Sequence, residues 1–342
     1  MPSEPQQTDR RDFLRTSIAG AAAAALAARA FAQGGPGSVG APAGAPALAP
    51  PATPAAARPL RICHLTDIHV QPERNAEAGL AAALAHAQSQ KPDFILTGGD
   101  GVMDVFEAKR GRADQLRALL QATFKRECGV PLHHTVGNHD IYGWNKKKSG
   151  AAGTESDWGK KFACELYGQP RTYQTFDRGG WRFICLDSVQ PKGDGYVGYL
   201  DDEQHEWLKS TIAGTPKTTP ILIVSHIPIL SLTALTYGAP RGREKVGEDT
   251  VIHAGEMHTD GTLLHDLFKD AGNVKVCLSG HTHLLDHCMI DGISYICDGA
   301  VSGSWWKGPL EGLPEGYGCL ELRPDGTFTH EYKTYGWKAA KA

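Results

Sequence analysis

Short apolar segments alternate with helical patterns along most of the chain, and this alternation constrains the fold more than any other feature. The apolar segments have the length and the bounding turn residues of buried strands. They cover residues 60–66, 93–97, 132–136, 181–186, 220–225, 274–279 and 293–297. The helical patterns cover residues 76–90, 113–126, 158–167, 202–211 and 262–271. Alternating strands and helices predict an α/β fold in which helices cover a largely parallel or mixed sheet.

The composition agrees with a folded domain of this kind. Of the 342 residues, 41% are hydrophobic and 21% are charged, which allows a sizeable core and excludes a disordered chain. The 35 Lys and Arg nearly balance the 38 Asp and Glu, so the formal net charge is −3. Because no strongly basic surface is expected, the sequence argues against duplex nucleic acid as a partner held by bulk charge.

The first 32 residues have the pattern of an export signal. The Arg10-Arg11 pair, the following Phe13-Leu14 and a weakly apolar stretch from Ile18 to Ala32 resemble a twin-arginine signal peptide, with a small-x-small cleavage site ending at Ala32. The stretch is short and rich in alanine, so it does not favour a membrane span. An amphipathic helix and an uncleaved anchor are the alternatives. The resemblance implies that the twin-arginine export machinery carries the folded protein to a periplasmic or secreted location.

Residues 33–59 consist mainly of Pro, Ala and Gly, a composition typical of a linker because it cannot form a core. We therefore expect the folded domain to cover residues 60–342. Within it, residues 141–157 and 231–260 are candidate loops that could cover a site. The chain has eight Cys and no C-x-x-C motif, and several Cys lie in strand-like segments, so we expect mostly free core thiols.

Five of the predicted strands are followed directly by residues of metal-binding types. The segments are Asp67-Ile68-His69, Gly98-Gly99-Asp100, Gly137-Asn138-His139-Asp140, His226 and Gly280-His281-Thr282-His283. Because ligand sites gather at the C-terminal ends of strands in open α/β sheets, these side chains should converge. Alternate residues of an extended segment point to the same side, so each D-x-H or H-x-H pair can bind one ion. Mixed carboxylate and imidazole ligands favour transition metals over Ca²⁺ or Mg²⁺.

Taken in order, these motifs resemble those of the calcineurin-like metallophosphoesterases. The family pattern is D-x-H, G-D, G-N-H-[DE], H and G-H-x-H, and every element is present between Arg61 and His283. The D-x-H opening resembles the class III cyclic nucleotide phosphodiesterase branch. Purple acid phosphatases instead have D-x-G and a Tyr three residues after the second Asp, where this chain has Met103. The resemblance implies an α/β fold built as a four-layer αββα sandwich of two mixed β-sheets flanked by helices.

The resemblance also implies a centre of two transition-metal ions, which could be Fe, Mn or Zn. The first ion would bind Asp67, His69, Asp100 and His283. The second ion would bind Asp100, Asn138, His226 and His281. Asp100 would therefore bridge the two ions.

Such a centre is suited to phosphoester hydrolysis. Two cations about 3.5–4 Å apart acidify a bridging water to hydroxide, which attacks phosphorus in line. His139 lies next to Asn138 but outside the ligand set, so it is the predicted general acid, and Asp140 is predicted to orient its ring. A hydrogen bond from His139 to the phosphate is the alternative role.

We expect a small-molecule phosphoester as the substrate, preferably a phosphodiester. A broad phosphomonoesterase is the alternative, and a non-catalytic binding scaffold is a more remote one. Trp144, Trp305 and Trp306 are candidates either to stack on a nucleobase or to pack in the core.

Overall fold

The computed structural model describes residues 58–236 and 243–340. Its strands are β1 (Leu60–Leu65), β2 (Phe94–Thr97), β3 (Leu132–His134), β4 (Gln174–Arg178), β5 (Trp181–Leu186), β6 (Val189–Lys192), β7 (Gly195–Gly198), β8 (Ile221–Ser225), β9 (Arg243–Val246), β10 (Asp249–Ile252), β11 (Val274–Ser279), β12 (Asp286–Ile290), β13 (Ile293–Cys297), β14 (Gly316–Leu322) and β15 (Phe328–Thr334). Its helices are α1 (Ala76–Ser89), α2 (Arg110–Glu127), α3 (Lys146–Ser149), α4 (Lys160–Tyr167), α5 (Asp202–Ala213), α6 (Leu232–Thr236) and α7 (Gly261–Ala271).

Two mixed sheets form the middle of the fold. One sheet has the strand order β15-β14-β1-β2-β3, and the other has the order β12-β13-β11-β8-β5-β4. In the first sheet β1, β2 and β3 run parallel, and the antiparallel strands β14 and β15 extend the β1 side. In the second sheet the four central strands run parallel, and an antiparallel strand is added at each edge. The hairpins β6–β7 and β9–β10 form two separate two-stranded sheets.

Apolar side chains fill the space between the two sheets and the space outside each of them. Ile62 and Leu96 of the first sheet pack with Phe183 and Val224 of the second. Helices α1 and α2 cover the outer face of the first sheet, and α5 and α7 cover the outer face of the second. The fold is therefore the four-layer αββα sandwich of two mixed sheets that the sequence predicts.

The buried strands lie where the apolar segments predict them, and β5, β11 and β13 have the predicted bounds. Strand β3 is shorter than predicted and ends at His134. The edge strands β4, β12 and β15 were not predicted, because exposed and half-buried side chains follow one another along them and no buried apolar segment results.

The predicted signal peptide and nearly all of the predicted linker lie outside the described residues. Among the residues that are described, no helix is both long enough and apolar enough to cross a membrane. In the candidate covering loop at residues 141–157, Tyr142, Trp144 and Ala151 are buried. The other candidate, residues 231–260, contains α6 and the β9–β10 hairpin.

Candidate metal centre

The C-terminal ends of β1, β2, β3, β8 and β11 bring the predicted ligand residues together. Asp67, His69 and His283 each offer a ligand atom within 4.8 Å of the others. The Nε2 atoms of His69 and His283 are 3.0 Å apart, and His283 Nε2 is 3.4 Å from Asp67 Oδ1. All three side chains are buried. This group coincides with the predicted first-ion ligands apart from the bridging residue.

A second group lies beside the first. Asp100, His226 and His281 offer ligand atoms within 4.8 Å of one another. Asn138 Oδ1 is 3.1 Å from His226 Nε2, which places the amide oxygen at the same group. Asp100 Oδ2 is 3.3 Å from His226 Nε2 and 3.6 Å from His69 Nε2. One carboxylate oxygen of Asp100 therefore lies between the two groups, where a bridging ligand has to be.

The donor set fits two transition-metal ions. It combines two carboxylates, one amide oxygen and four imidazoles, in a buried position where unpaired charges and imidazole nitrogens 3.0 Å apart would otherwise be unfavourable. A pair of ions would satisfy these nitrogen and oxygen atoms together.

Three of the four imidazoles are oriented by backbone carbonyls. The Nδ1 atoms of His69, His226 and His283 lie 3.2, 2.8 and 2.7 Å from the carbonyl oxygens of Met103, Gly98 and Gly303 respectively. A carbonyl oxygen accepts a hydrogen bond from Nδ1–H, which directs Nε2 towards the centre as the atom available to an ion. The protein thus fixes the tautomer that metal binding requires.

The local backbone differs from what the spacing predicted. Asp67 and His69 have φ values of 53° and 46°, and His281 and His283 have 71° and 59°, so neither pair lies on an extended segment. The side chains converge because each backbone turns through the left-handed region. In the first pair, hydrogen bonds from Asp67 N to Gly99 O (3.1 Å) and from His69 N to Asp100 O (2.9 Å) hold this turn.

The charges in the centre favour ionised carboxylates. Burial would raise the pKa of Asp67 and Asp100, but His283 and His226 respectively outweigh it and lower both pKa values. Burial also lowers the pKa of His69, to about 3, which keeps this imidazole neutral. Carboxylate and neutral imidazole are the forms that bind a metal ion.

His139 lies at the edge of the centre, with its side chain 30% exposed. Its Nε2 is 4.0 Å from Asp100 Oδ2, and its Nδ1 is 3.4 Å from Asp104 Oδ1. Burial would lower the pKa of His139, but the carboxylates of Asp100 and Asp104 raise it to about 9. Asp104 was missed by the sequence analysis, because no family motif includes it.

The prediction that Asp140 orients His139 is wrong, because the Asp140 carboxylate is used elsewhere. Its Oδ2 accepts hydrogen bonds from Asp100 N (2.8 Å), Gly137 N (2.9 Å) and Tyr167 Oη (2.8 Å). Its Oδ1 accepts hydrogen bonds from Gly101 N at 2.9 Å and from Val102 N at 3.4 Å. Burial and the nearby Asp100 raise the pKa of Asp140 to about 6. Asp140 therefore joins the two loops that carry Asp100 and Asn138.

A cavity of about 190 Å³ opens onto the centre. The side chains that line it combine polar and apolar types: Asp100, His139, Tyr196, Thr233, Ala234, Glu256, His281, Thr282, His283, Leu284, Trp305 and Leu310. The described part of segment 231–260 thus contributes three lining residues, whereas residues 141–157 contribute none. Tyr196 and Glu256 belong to no motif and were missed by the sequence analysis.

The three tryptophans differ in their positions. The Trp305 ring lies 4.5 Å from the His283 ring and lines the cavity. Trp306 is buried, and its Nε1 donates to the carbonyl oxygens of Ile68 and His69 at 3.0 Å. Trp144 is also buried. Trp305 alone among the three could stack on a ligand in this cavity.

The sequence model of the calcineurin-like phosphoesterases matches residues 60–285, which is more than half of the chain. The chain belongs to the calcineurin-like phosphoesterase family. A model of the twin-arginine translocation signal matches residues 7–27. This metallophosphoesterase therefore carries a signal for export through the twin-arginine machinery, to the periplasm or out of the cell.

Individual proteins show the same relationship. A probable cyclic nucleotide phosphodiesterase of Synechococcus sp. is 25% identical over 279 residues, covering 80% of this chain and 91% of that protein. A probable inactive purple acid phosphatase of Arabidopsis thaliana is 24% identical over 254 residues, covering 64% and 58%. The crystal structure of a dimetal phosphatase from Danio rerio superposes with a TM-score of 0.53 at 14% identity, covering 80% and 98%, which shows a shared fold.

Proposed function

We propose that this protein hydrolyses small-molecule phosphodiesters at a centre of two transition-metal ions. Seven residues would hold the ions: Asp67, His69, Asp100, Asn138, His226, His281 and His283. The observation that carries the proposal is the position of Asp100 Oδ2, 3.3 and 3.6 Å from imidazole nitrogens of the two groups. When bound, the ions supply Lewis acidity to phosphate oxygens and acidify water.

His139 is the proposed general acid. Asp104 Oδ1 lies 3.4 Å from its Nδ1, and its Nε2 lies on the side that faces the centre, 4.0 Å from Asp100 Oδ2. A phosphodiester releases an alkoxide, which is a poor leaving group unless it receives a proton in the transition state. Nε2–H of His139 is placed at the edge of the centre to donate that proton.

The lining of the cavity supports a diester rather than a monoester. Among the described residues that line it, none is Lys or Arg, and Glu256 adds a carboxylate. A diester carries one negative charge and a monoester up to two, so a cavity lined in this way favours binding of the diester over the monoester. The similarity to a protein described as a probable cyclic nucleotide phosphodiesterase points in the same direction.

Kinetics with two chromogenic substrates test the diester preference. The protein is loaded separately with Fe, Mn or Zn, and kcat/KM is compared for bis(p-nitrophenyl) phosphate and p-nitrophenyl phosphate. We expect a higher kcat/KM for the diester with the ion that activates best. A higher value for the monoester would show a phosphomonoesterase instead, and no turnover with any ion would favour a binding scaffold.

The role of His139 is tested with the His139→Ala variant. We expect kcat to fall by about 10²–10⁴-fold while the metal content stays unchanged. The fall in kcat should be larger for an alkyl diester than for the p-nitrophenyl diester, because p-nitrophenolate is a better leaving group and needs little protonation. Equal losses for both substrates would indicate that His139 only binds the phosphate. Asp100→Asn is the matched control, which should lose metal because the bridge is removed.

A further inference from the structure

His281 is oriented differently from the other three imidazoles of the centre. No backbone carbonyl lies within hydrogen-bond distance of its buried Nε2 atom, which lacks a hydrogen-bond partner in the described structure. The nearby acceptor is a carboxylate, since Glu256 Oε2 is 3.7 Å from His281 Nε2. A movement of less than about 1 Å brings these two atoms to ordinary hydrogen-bond distance.

We propose that Glu256 is the positioning residue of His281. Its carboxylate accepts a hydrogen bond from His281 Nε2–H, which leaves Nδ1 as the atom that binds the second ion. This inference rests on the proposed function, because it assumes that His281 is a metal ligand. A carboxylate on the far nitrogen fixes the ring and makes the imidazole a stronger ligand.

Hydrogen bonds hold the loop that carries Glu256 in place. His258, two residues further along, donates its N–H to Pro228 O at 2.9 Å, and its Nε2 is 2.9 Å from Ser225 Oγ. On the other side, Gly198 N donates to Ala254 O at 2.7 Å. Because Ser225 ends the strand that precedes His226, the loop is tied to the strand end that supplies a ligand of the same ion. The position of Glu256 is thus built into the fold, although its side chain is 30% exposed.

Metal titration of the dialysed full-length protein tests this role without relying on activity. Bound Mn or Zn is measured by mass spectrometry across a range of free-ion concentrations for wild type, Glu256→Ala, Glu256→Gln and Glu244→Ala. We expect Glu256→Ala to weaken one of the two ions by about 10–100-fold and to leave the other unchanged. Glu256→Gln keeps a hydrogen-bond acceptor, so it should weaken ion binding less than Glu256→Ala does. Glu244, an exposed carboxylate on β9, is the matched control and should have no effect.

Three outcomes would overturn the proposal. Wild-type affinity for both ions in Glu256→Ala would show that the carboxylate does not act on His281. Complete loss of one ion would show a direct ligand rather than a positioning residue. Unchanged metal binding with an altered KM would show a substrate contact. None of these affects the proposed function, which fails separately if the wild type binds fewer than two ions or hydrolyses no phosphoester.

A second inference comes from a pair of cysteines on neighbouring strands. Cys63 on β1 lies directly opposite Cys319 on β14 in the antiparallel register, and their Sγ atoms are 4.0 Å apart. Opposed residues of antiparallel strands have Cα atoms about 4.5–5.5 Å apart, inside the range of about 4.4–6.8 Å that disulfides occupy. Side-chain rotation is therefore sufficient to join the two sulfur atoms.

We infer that Cys63 and Cys319 form a disulfide after export. The exported protein meets an oxidising compartment, and the oxidant is a disulfide-bearing compound or protein of that compartment. The Cys319 thiolate attacks the oxidant and releases one thiol, and Cys63 then attacks the mixed disulfide and releases the second thiol. Two protein thiols lose two protons and two electrons, and the oxidant becomes two thiols.

The exposure and the pKa of the two thiols favour initial attack by Cys319. Cys319 is partly exposed, whereas Cys63 is buried. The hydrogen bond from the Cys63 thiol, together with the charges of Arg61 and Lys333, lowers the pKa of Cys319 to about 7. The more accessible thiol is therefore the one that ionises.

Mass spectrometry of the exported protein tests the disulfide. The protein is alkylated under denaturing conditions without reductant and then digested. We expect a linked pair of peptides containing residues 63 and 319, lighter than the two reduced peptides by two hydrogen atoms. Cys319→Ser should leave Cys63 open to alkylation, and Cys164→Ser, the matched control, should not. Full alkylation of both residues in the exported wild type would overturn the inference.

Discussion

Replacing Asp140 by Asn tests whether this carboxylate holds the loop that carries Asp100 rather than taking part in proton transfer. One of its oxygens accepts hydrogen bonds from three donors at 2.8–2.9 Å, and the other accepts from Gly101 N at 2.9 Å and from Val102 N at 3.4 Å. An amide presents one oxygen and one NH₂ group to the same donors. Whichever way the amide is turned, at least one buried N–H or O–H then faces another donor.

The expected loss of stability is set by the oxygen of Asp140 that accepts fewer hydrogen bonds. A hydrogen bond to a charged acceptor contributes roughly 1.5–3 kcal/mol, and an unsatisfied buried donor costs about 1–3 kcal/mol. The least costly orientation loses the bonds from Gly101 N and Val102 N, and Tyr167 Oη, 3.2 Å from Gly101 N, is a partial substitute for the first. We therefore expect Asp140→Asn to lower the free energy of unfolding by about 2–4 kcal/mol. Tyr167→Phe removes a single donor and should cost about 1 kcal/mol.

Urea unfolding followed by circular dichroism, at one fixed metal concentration, measures these values. His139→Ala is the comparison variant, because its side chain is 30% exposed and joins no two loops by hydrogen bonds, so it should cost less stability than Asp140→Asn. The two variants should thus separate, with stability lost in one and turnover lost in the other. Asp140→Asn with wild-type stability and a loss confined to kcat would refute the structural role and return Asp140 to the proton-transfer chain.

Other expected outcomes concern packing, pH and metal. A Cβ at Gly280 would lie 1.9 Å from Thr66 Oγ1 and 2.3 Å from Asp67 Oδ2. Gly280→Ala should therefore displace Asp67 and lose the first ion, which elemental analysis measures. Full metal content in this variant would contradict the prediction. Burial raises the pKa of Asp298, but the neighbouring His330 outweighs it and lowers this pKa to about 2. The ionised Asp298 carboxylate therefore stabilises the folded protein above about pH 4, and this stabilisation is lost as the pH falls through 2. In Asp298→Asn the free energy of unfolding should depend less on pH in this range, and a pH dependence equal to that of the wild type would contradict the role of Asp298. Chelation should lower Tm, and re-addition of metal should restore it.

The sequence predicted the central strands well, because they are buried on both faces. Strands such as β8 and β11 consist almost entirely of apolar residues, and their C-terminal ends could be located from the polar residues that follow. The edge strands alternate exposed and half-buried side chains over short lengths, so no apolar segment marks them. β14 contains Gly316 and Gly318, which weaken a strand pattern although the strand pairs with β1.

Residues that act through tertiary contacts could not be found from the sequence. Glu256 reaches His281 only because hydrogen bonds at Ser225 and Gly198 hold its loop, and these contacts join parts of the chain far apart in sequence. Asp140 was misassigned for the same reason, since adjacency to His139 in the chain gives no information on where a carboxylate points. Its backbone partners on the neighbouring loop decide its role.

The pairing of ligands was predicted from an extended backbone, yet the ligand residues adopt the left-handed region. The φ values are 53° for Asp67, 46° for His69, 53° for Asp100, 71° for His281 and 59° for His283. Such conformations cost of order 1–3 kcal/mol each for residues other than glycine and persist where the surrounding structure enforces them. Here the hydrogen bonds that enforce them, such as Asp67 N to Gly99 O, run between strand ends. The direction of each donor atom is therefore set by the sheets and by the hydrogen bonds that join their strand ends.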